Sequence, residues 1–277
     1  MIRRQWYARG AVLAFALLLT VIAACSSSNN DSKVPDGSLV GLFRLDPGTF
    51  SDGKLAGTWF RMLQPGGKPD SGPYMINADS PADGGLATLL TPGRSGGLWS
   101  GSYQSQPVPA FDGNGGSLSN AIITPTKFFA VDFGISTNRV DPQTKTLLPP
   151  PTVTLSGGKL SADLSSWAAS WNRQDFNQGA PKPVSSTGAQ APGQNSAGKA
   201  WDYVAGKWLD TPAAPVSTGA RAAGTFDAKT RRFVLDWTSL IVGGPFNGFT
   251  GIWHLTGIFE RQQAGPGQSG SAVTSAR

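Results

Sequence analysis

The chain of 277 residues carries 23 Lys and Arg against 17 Asp and Glu, with 36 glycines and 21 prolines. Charge this dilute, with no basic cluster beyond the pairs Arg3-Arg4 and Arg231-Arg232, leaves no electrostatic footprint for nucleic acid. One cysteine and one histidine exclude an intramolecular disulfide and the usual multi-residue zinc or iron site, so neither metal nor cofactor is expected.

The N-terminus has the three parts of a secretory signal. Arg3, Arg4 and Arg9 make it positive, and an uncharged run rich in Ala and Leu follows from Ala11. Counted through Ala24 that run is 14 residues. At 1.5 Å per residue it reaches about 21 Å, short of the roughly 20 residues of a permanent span. The end of that run and the residue after it, Ile22-Ala23-Ala24-Cys25, resemble the bacterial lipobox: an aliphatic residue, two small ones, then cysteine. The resemblance implies a signal peptide over 1–24, cleaved before Cys25, and lipid on the Cys25 thiol. Several acyl chains at about 0.8 kcal/mol per methylene hold a protein to a bilayer. The implied partner is thus a membrane, and the location the extracytoplasmic face of the cell envelope. Arg3-Arg4 followed by Trp6 and Tyr7 also loosely resembles a twin-arginine signal. With 1–24 removed the balance is 20 basic to 17 acidic residues, or +3.

Residues 25–37 are polar and read as a flexible tether, and 262–277 as a disordered tail poor in core formers. Between them, 38–261 is long enough for a single β-rich domain. Short apolar runs recur at 39–45, 55–63, 127–135, 231–237 and 251–260, separated by turn sequences such as Asp-Pro-Gly and Ser-Asp-Gly-Lys. That pattern predicts an all-β fold, an antiparallel sandwich or barrel-like sheet with at most one or two short helices. Residues 178–198 contain no aromatic and read as a long surface loop. The one segment with helical spacing is 161–171, where Leu164, Trp167 and Trp171 recur at three and four, although a strand also puts Trp167 and Trp171 on one face. Gly-x-aromatic occurs eleven times, which suits sheets where a glycine leaves room beside a ring.

The search for chemistry is short. Gly93-Arg94-Ser95-Gly96-Gly97 matches the spacing of a hydrolase nucleophile elbow but lacks the strand-turn-helix context, so a glycine-rich loop is the better reading. Alternation puts Ile252, His254 and Thr256 on one face, with Trp253, Leu255 and Phe259 on the other. A hairpin turning near Pro245 then sets Asp236 across from His254 and Trp237 across from Trp253, a polar pair suited to a structural hydrogen bond. Glu260 is the only glutamate, so paired carboxyls for sugar hydrolysis are not evident. Asp132 lies inside an apolar run, and Asp112-Gly113-Asn114-Gly115-Gly116 reads as a turn, lacking the ligands of a calcium loop. No catalytic residue is assigned.

The leading expectation is a non-enzymatic, membrane-held β-domain that binds a ligand or an envelope protein. Carbohydrate binding is an alternative, with Trp99, Trp201 and Trp208 as rings for stacking on cell-wall polysaccharide; a secreted hydrolase is a third. The segments 176–183 (FNQGAPKP) and 243–257 (GGPFNGFTGIWHLTG) look like stretches of exported bacterial proteins of unknown role. Replacing the lipid-bearing residue tests the address. The Cys25→Ser protein is expected to leave the membrane fraction or to remain uncleaved, and a processed variant that still sediments with membranes overturns the anchor.

Overall fold

The computed structural model describes residues 34–183, 200–202, 207–209 and 221–262. In chain order the strands begin with β1 (Gly37–Ser38), β2 (Gly41–Leu45), β3 (Thr49–Ser51), β4 (Lys54–Ala56), β5 (Trp59–Lys68) and β6 (Gly72–Tyr74). After a 3₁₀ turn at Ala82–Gly85 come β7 (Thr88–Leu89), β8 (Gly97–Ser100), β9 (Thr126–Phe128) and β10 (Val131–Thr137). The middle of the chain gives β11 (Thr152–Ser156), β12 (Lys159–Asp163), β13 (Trp167–Trp171) and β14 (Gln174–Asn177). The set ends with β15 (Ala200–Asp202), β16 (Lys207–Leu209), β17 (Ala222–Phe226), β18 (Arg232–Leu240) and β19 (Thr250–Arg261). The fold is all-β and antiparallel, as composition predicts, and the 3₁₀ turn is the only helical element among the described residues.

One large sheet runs β1-β11-β12-β17-β18-β19-β2-β8 and curls into a half-barrel. The twelve-residue β19 holds it together. Along one edge β19 pairs with β18 from Arg232↔Ile258 to Leu240↔Thr250. Its other edge is divided: Thr250–His254 pair with β5, and Gly257–Arg261 pair with β2. A second sheet, β14-β13-β10-β9, lies against this one. Between them Trp167 of β13 meets Trp237 and Trp253 edge-on at 5.3 and 5.5 Å, while Trp237 and Trp253 stack at 5.7 Å.

Alternation explains which side of each strand is buried. In β18 Phe233, Leu235 and Trp237 are buried, while Arg232 and Asp236 are exposed. Phe43, wholly buried, packs on Phe233 at 5.0 Å and Phe259 at 4.9 Å. Losing such a ring costs about 3–5 kcal/mol. One Gly-x-aromatic step shows its use here. A Cβ on Gly257 would stand 1.8 Å from the Arg44 carbonyl oxygen and 3.0 Å from the Phe233 ring, so only glycine lets β2 close on β19.

One reading left open by the sequence is decided, and two expectations need correction. Residues 161–171 are not helical: they form the end of β12, a turn and β13, because Trp167 enters the core between the sheets, a use to which the spacing of three and four is incidental. The run 127–135 is two strands, since Phe129-Ala130 makes a two-residue hairpin turn. The fold also reaches further at both expected boundaries. Val34, assigned to the tether, is buried and Gly37 pairs with Leu155, and Gln178 and Ala180, assigned to a surface loop, are buried at 2% and 0% exposure. The rest of that loop from 184 to 198, residues 25–33 of the tether and residues 263–277 lie outside the described residues.

The Phe129-Ala130 turn has φ of 52° and 60°, the positive values that match a tight hairpin to strand twist. Neither residue is glycine, and each pays about 1–2 kcal/mol of steric cost there. The amide of Ala130 offsets part of it by donating to Asp79 Oδ2 at 2.7 Å. Ala130→Gly is therefore expected to stabilise the fold by about 1 kcal/mol, read as a higher urea midpoint with an unchanged slope.

Candidate functional site

The space between the two sheets does not close completely. A cavity of about 440 Å³, counted out through its open side, remains between β5 and β19 on one wall and β9, β10, β13 and β14 on the other. Rings dominate its lining: Phe60, Phe128, Phe133, Trp171, Phe246 and Trp253. No charged side chain lines it, and Gln178 is the one lining residue with an amide head.

The loop between β18 and β19 supplies the cover. Gly248 donates to the Ile241 carbonyl at 2.9 Å, Ile241 to that of Phe249 at 2.8 Å, and Asn247 Oδ1 accepts from Gly243 at 2.8 Å. So pinned, the loop lays Phe246 against Trp171 at 5.5 Å and Phe128 at 5.7 Å. Gly244 is required beneath it: its φ is +64°, and a Cβ would meet the Phe176 ring at 3.1 Å. Phe129, 41% exposed, stands at the rim with its ring 5.2 Å from Phe128 and 5.7 Å from Phe246.

A buried polar clamp places the segment that carries Gln178. Asn177 Nδ2 donates to Asp141 Oδ2 and to the Ser165 carbonyl, both at 2.7 Å, and its Oδ1 accepts from Gly179 at 3.1 Å. Asp141 is wholly buried, and its Oδ1 also accepts from the amides of Gln143 and Thr144. Lys182 Nζ donates to the Asn177 carbonyl. The side chain keeps some exposed surface, but desolvation of the ammonium pushes its pKa down to about 7 against the opposing pull of Asp141.

Gln178 is then held by its nitrogen. Nε2 donates to the Asn177 carbonyl at 2.9 Å and the Leu240 carbonyl at 3.2 Å, which fixes which end of the amide is oxygen. Its backbone carbonyl accepts from Trp237 Nε1 at 2.8 Å. Oε1 of Gln178 and Nε1 of Trp253 are both buried without a hydrogen-bond partner among the described residues. They converge on Gly251, where a Cβ would lie 2.4 Å from Oε1 and 3.0 Å from Nε1.

The residues singled out from the sequence lie elsewhere. Asp236 sits opposite His254 in the β18–β19 register, with His254 Nδ1 2.6 Å from Asp236 Oδ1, and the His254 ring stacks on Trp59 at 4.8 Å. The pair is on the face of β19 opposite Trp253, away from the cavity. No serine or threonine hydroxyl bonds to His254 among the described residues. Ser95 lies in the loop before β8, where its amide donates to the Ala121 carbonyl. Glu260 forms a two-pronged ion pair with Arg44 at 2.6 and 2.8 Å, which holds its carboxyl below the ordinary range, the hydrogen bond being the larger cause. Asp112 closes its own turn by accepting from Asn114 and Gly116, both at 2.8 Å. Asp132 is half-buried opposite Lys127 and makes no Arg pair among the described residues. No group of three or more His, Cys, Asp or Glu is placed to hold a metal among them.

Trp99 is half-buried in the edge strand β8, opposite Leu42. Trp201 and Trp208 are register partners in the separate β15–β16 ribbon. The three tryptophans therefore do not share a sheet. Cys25 lies outside the described residues. What sequence reasoning missed is Gln178, Gly251 and the ring set around them, although two segments it singled out, 176–183 and 243–257, both line the cavity through Phe176, Gln178, Phe246 and Trp253. No family model matches this chain, and no curated protein or solved structure proves similar to it.

The clamp predicts its own failure. Asp141→Ala strands the Gln143 and Thr144 amides and takes one acceptor from Asn177, at about 1–3 kcal/mol per buried group left unpaired. We expect a loss of about 2–3 kcal/mol in urea unfolding; a change below about 0.5 kcal/mol would show that the clamp is dispensable.

Proposed function

We propose that this chain is a lipid-anchored protein of the cell envelope whose β-domain binds a small, uncharged, largely apolar molecule in the cavity between its sheets. The anchor rests on the residues from Ile22 to Cys25. The binding reading rests on one observation: a ring-lined space between the two sheets, open on one side. Protein interiors hold few such voids, since each loses dispersion contacts along its lining. Here the β18–β19 loop is pinned over the space rather than collapsed into it. A binding role suits this arrangement better than hydrolysis, because the Asp236–His254 pair lies on the far face with no serine or threonine hydroxyl bonded to His254 among the described residues.

Glycan binding is the second reading, and one observation favours it. Trp201 and Trp208 are register partners in a two-stranded ribbon, and opposed positions of paired strands belong to one sheet face. The partner in that case is cell-wall polysaccharide.

The test uses the Cys25→Ser protein, free of lipid, titrated with toluene while the indole N–H signals are followed by NMR. Binding in the cavity is expected to shift the Trp253 signal first. It is also expected to raise the melting temperature, with about 2.7 kcal/mol of stabilisation at a hundredfold excess over Kd. Gly251→Ala places a methyl group among Gln178, Phe60 and Trp253 and is expected to weaken binding at least tenfold. Unchanged affinity in that variant, or shifts confined to other tryptophans, rejects the cavity as the site.

A further inference from the structure

The strands that end the two sheets meet amide side chains where a further strand would pair. The order of the second sheet ends on β14 and β9, and that of the large sheet on β1 and β8. The carboxamide of Gln104 lies along β8. Its Oε1 accepts from the Trp99 amide and its Nε2 donates to the Gly97 carbonyl, both at 2.8 Å. One N–H and one C=O are what a residue of a neighbouring strand offers. Gln104 is 8% exposed, and its own backbone is pinned to the end of β10. Its amide donates to Thr137 Oγ1 at 2.7 Å, and its carbonyl accepts from the Thr137 amide at 3.0 Å. The arrangement recurs at two more ends. Asn77 Nδ2 donates to the Lys127 carbonyl of β9 at 3.0 Å, and Gln143 Oε1 accepts from the Asn177 amide of β14 at 2.8 Å.

We infer that these three side chains close the sheet ends against strand addition, and that Gln104 in particular excludes a second copy of this chain from pairing through β8. The strand reads Gly97-Leu98-Trp99-Ser100, without charge or proline, so nothing in its own sequence discourages pairing. Bonded as they are to Gln104, the Gly97 carbonyl and the Trp99 amide point away from β2, which holds the opposite edge. Leu98 is wholly buried, while Trp99 stands half-buried on the outer face beside that edge. With Gln104 gone, both groups are free for another strand. A second β8 supplies the matching donor and acceptor, since two antiparallel copies related by a two-fold axis present the same surface to each other. Such a pair uses up both edges and stops at two chains. Among long side chains the amide alone serves both groups. A carboxylate has no proton for the Gly97 carbonyl, and a lysine or arginine has no acceptor for the Trp99 amide. This capping is independent of the cavity and of the lipid.

The test is the mass of the full Cys25→Ser chain in solution, read by sedimentation velocity, with circular dichroism as the check on folding. Gln104→Met keeps the length of the side chain and removes both hydrogen-bonding groups. We expect it to hold the native spectrum and to sediment at twice the mass of the chain with Gln104 intact, which is expected to be monomeric at the same concentration. Adding Trp99→Lys sets a charge beside the edge and is expected to restore the monomer. A folded Gln104→Met chain that stays monomeric overturns the inference, as does a dimer of the chain with Gln104 intact that Trp99→Lys dissociates. Association that persists with Trp99→Lys, or that grows past the dimer, also overturns it. Should Gln104→Met fail to fold, Gln104→Asn, a methylene too short to reach both groups, is judged by the same outcomes.

Discussion

The register of β18 on β19 is the constraint on which the other features rest. Nine consecutive pairs fix it, and β19 then offers its opposite edge to β5 at one end and β2 at the other. Because side chains alternate, this register decides in one stroke that Trp253, Leu255 and Phe259 face inward while His254 and Thr256 face out. A slip of one residue would exchange the two sets, putting a histidine into the tryptophan cluster and stripping the cavity of its back wall. The stacked Trp237–Trp253 pair holds the register from the inner face, and the Asp236–His254 bond holds it from the outer. The second is a polar contact whose position accounts for it without catalysis.

Around that frame the cavity is a place where tight packing was given up locally. Its rings come from both sheets and from the β18–β19 loop, so no single strand could close it by shifting. Gly251 and Gly244 keep side chains out at two points, and the Asn177–Asp141 clamp holds the Gln178 segment against relaxation into the gap. The cost falls on two buried polar atoms left without partners. They are two of eight buried side-chain polar atoms without a partner among the described residues, and the two that belong to residues lining the cavity.

Much of the fold was legible because alternation and turn chemistry are local. The Asp236–His254 opposition followed from reading β18 and β19 as strands and finding one glycine-rich turn between them. The 161–171 segment was not legible, since a tryptophan repeat at three and four suits a helix or two short strands, and only the packing of Trp167 between sheets decides. Phe129-Ala130 escaped for the opposite reason: neither residue advertises a turn, and the tertiary frame imposes positive φ on both. The cavity was invisible for a deeper cause. Its lining is drawn from segments as far apart as Phe60 and Trp253, and Gln178 sits in a stretch whose composition says loop. Only its partners, Asn177 below and Leu240 across, bring it inside.

The pairing of β19 with β2 has a kinetic side. Arg44 and Glu260, which bridge these strands, are 216 positions apart in sequence. Until the final strand is available, β2 and β5 have no neighbour on the side that β19 will occupy, and the half-barrel has no middle. Closing a loop of that length before its contacts repay the lost chain entropy makes for a slow, late and cooperative collapse. A chain that emerges from its N-terminus onward therefore presents unpaired strand edges, and the ring-rich faces behind them, for nearly the whole time it takes to appear.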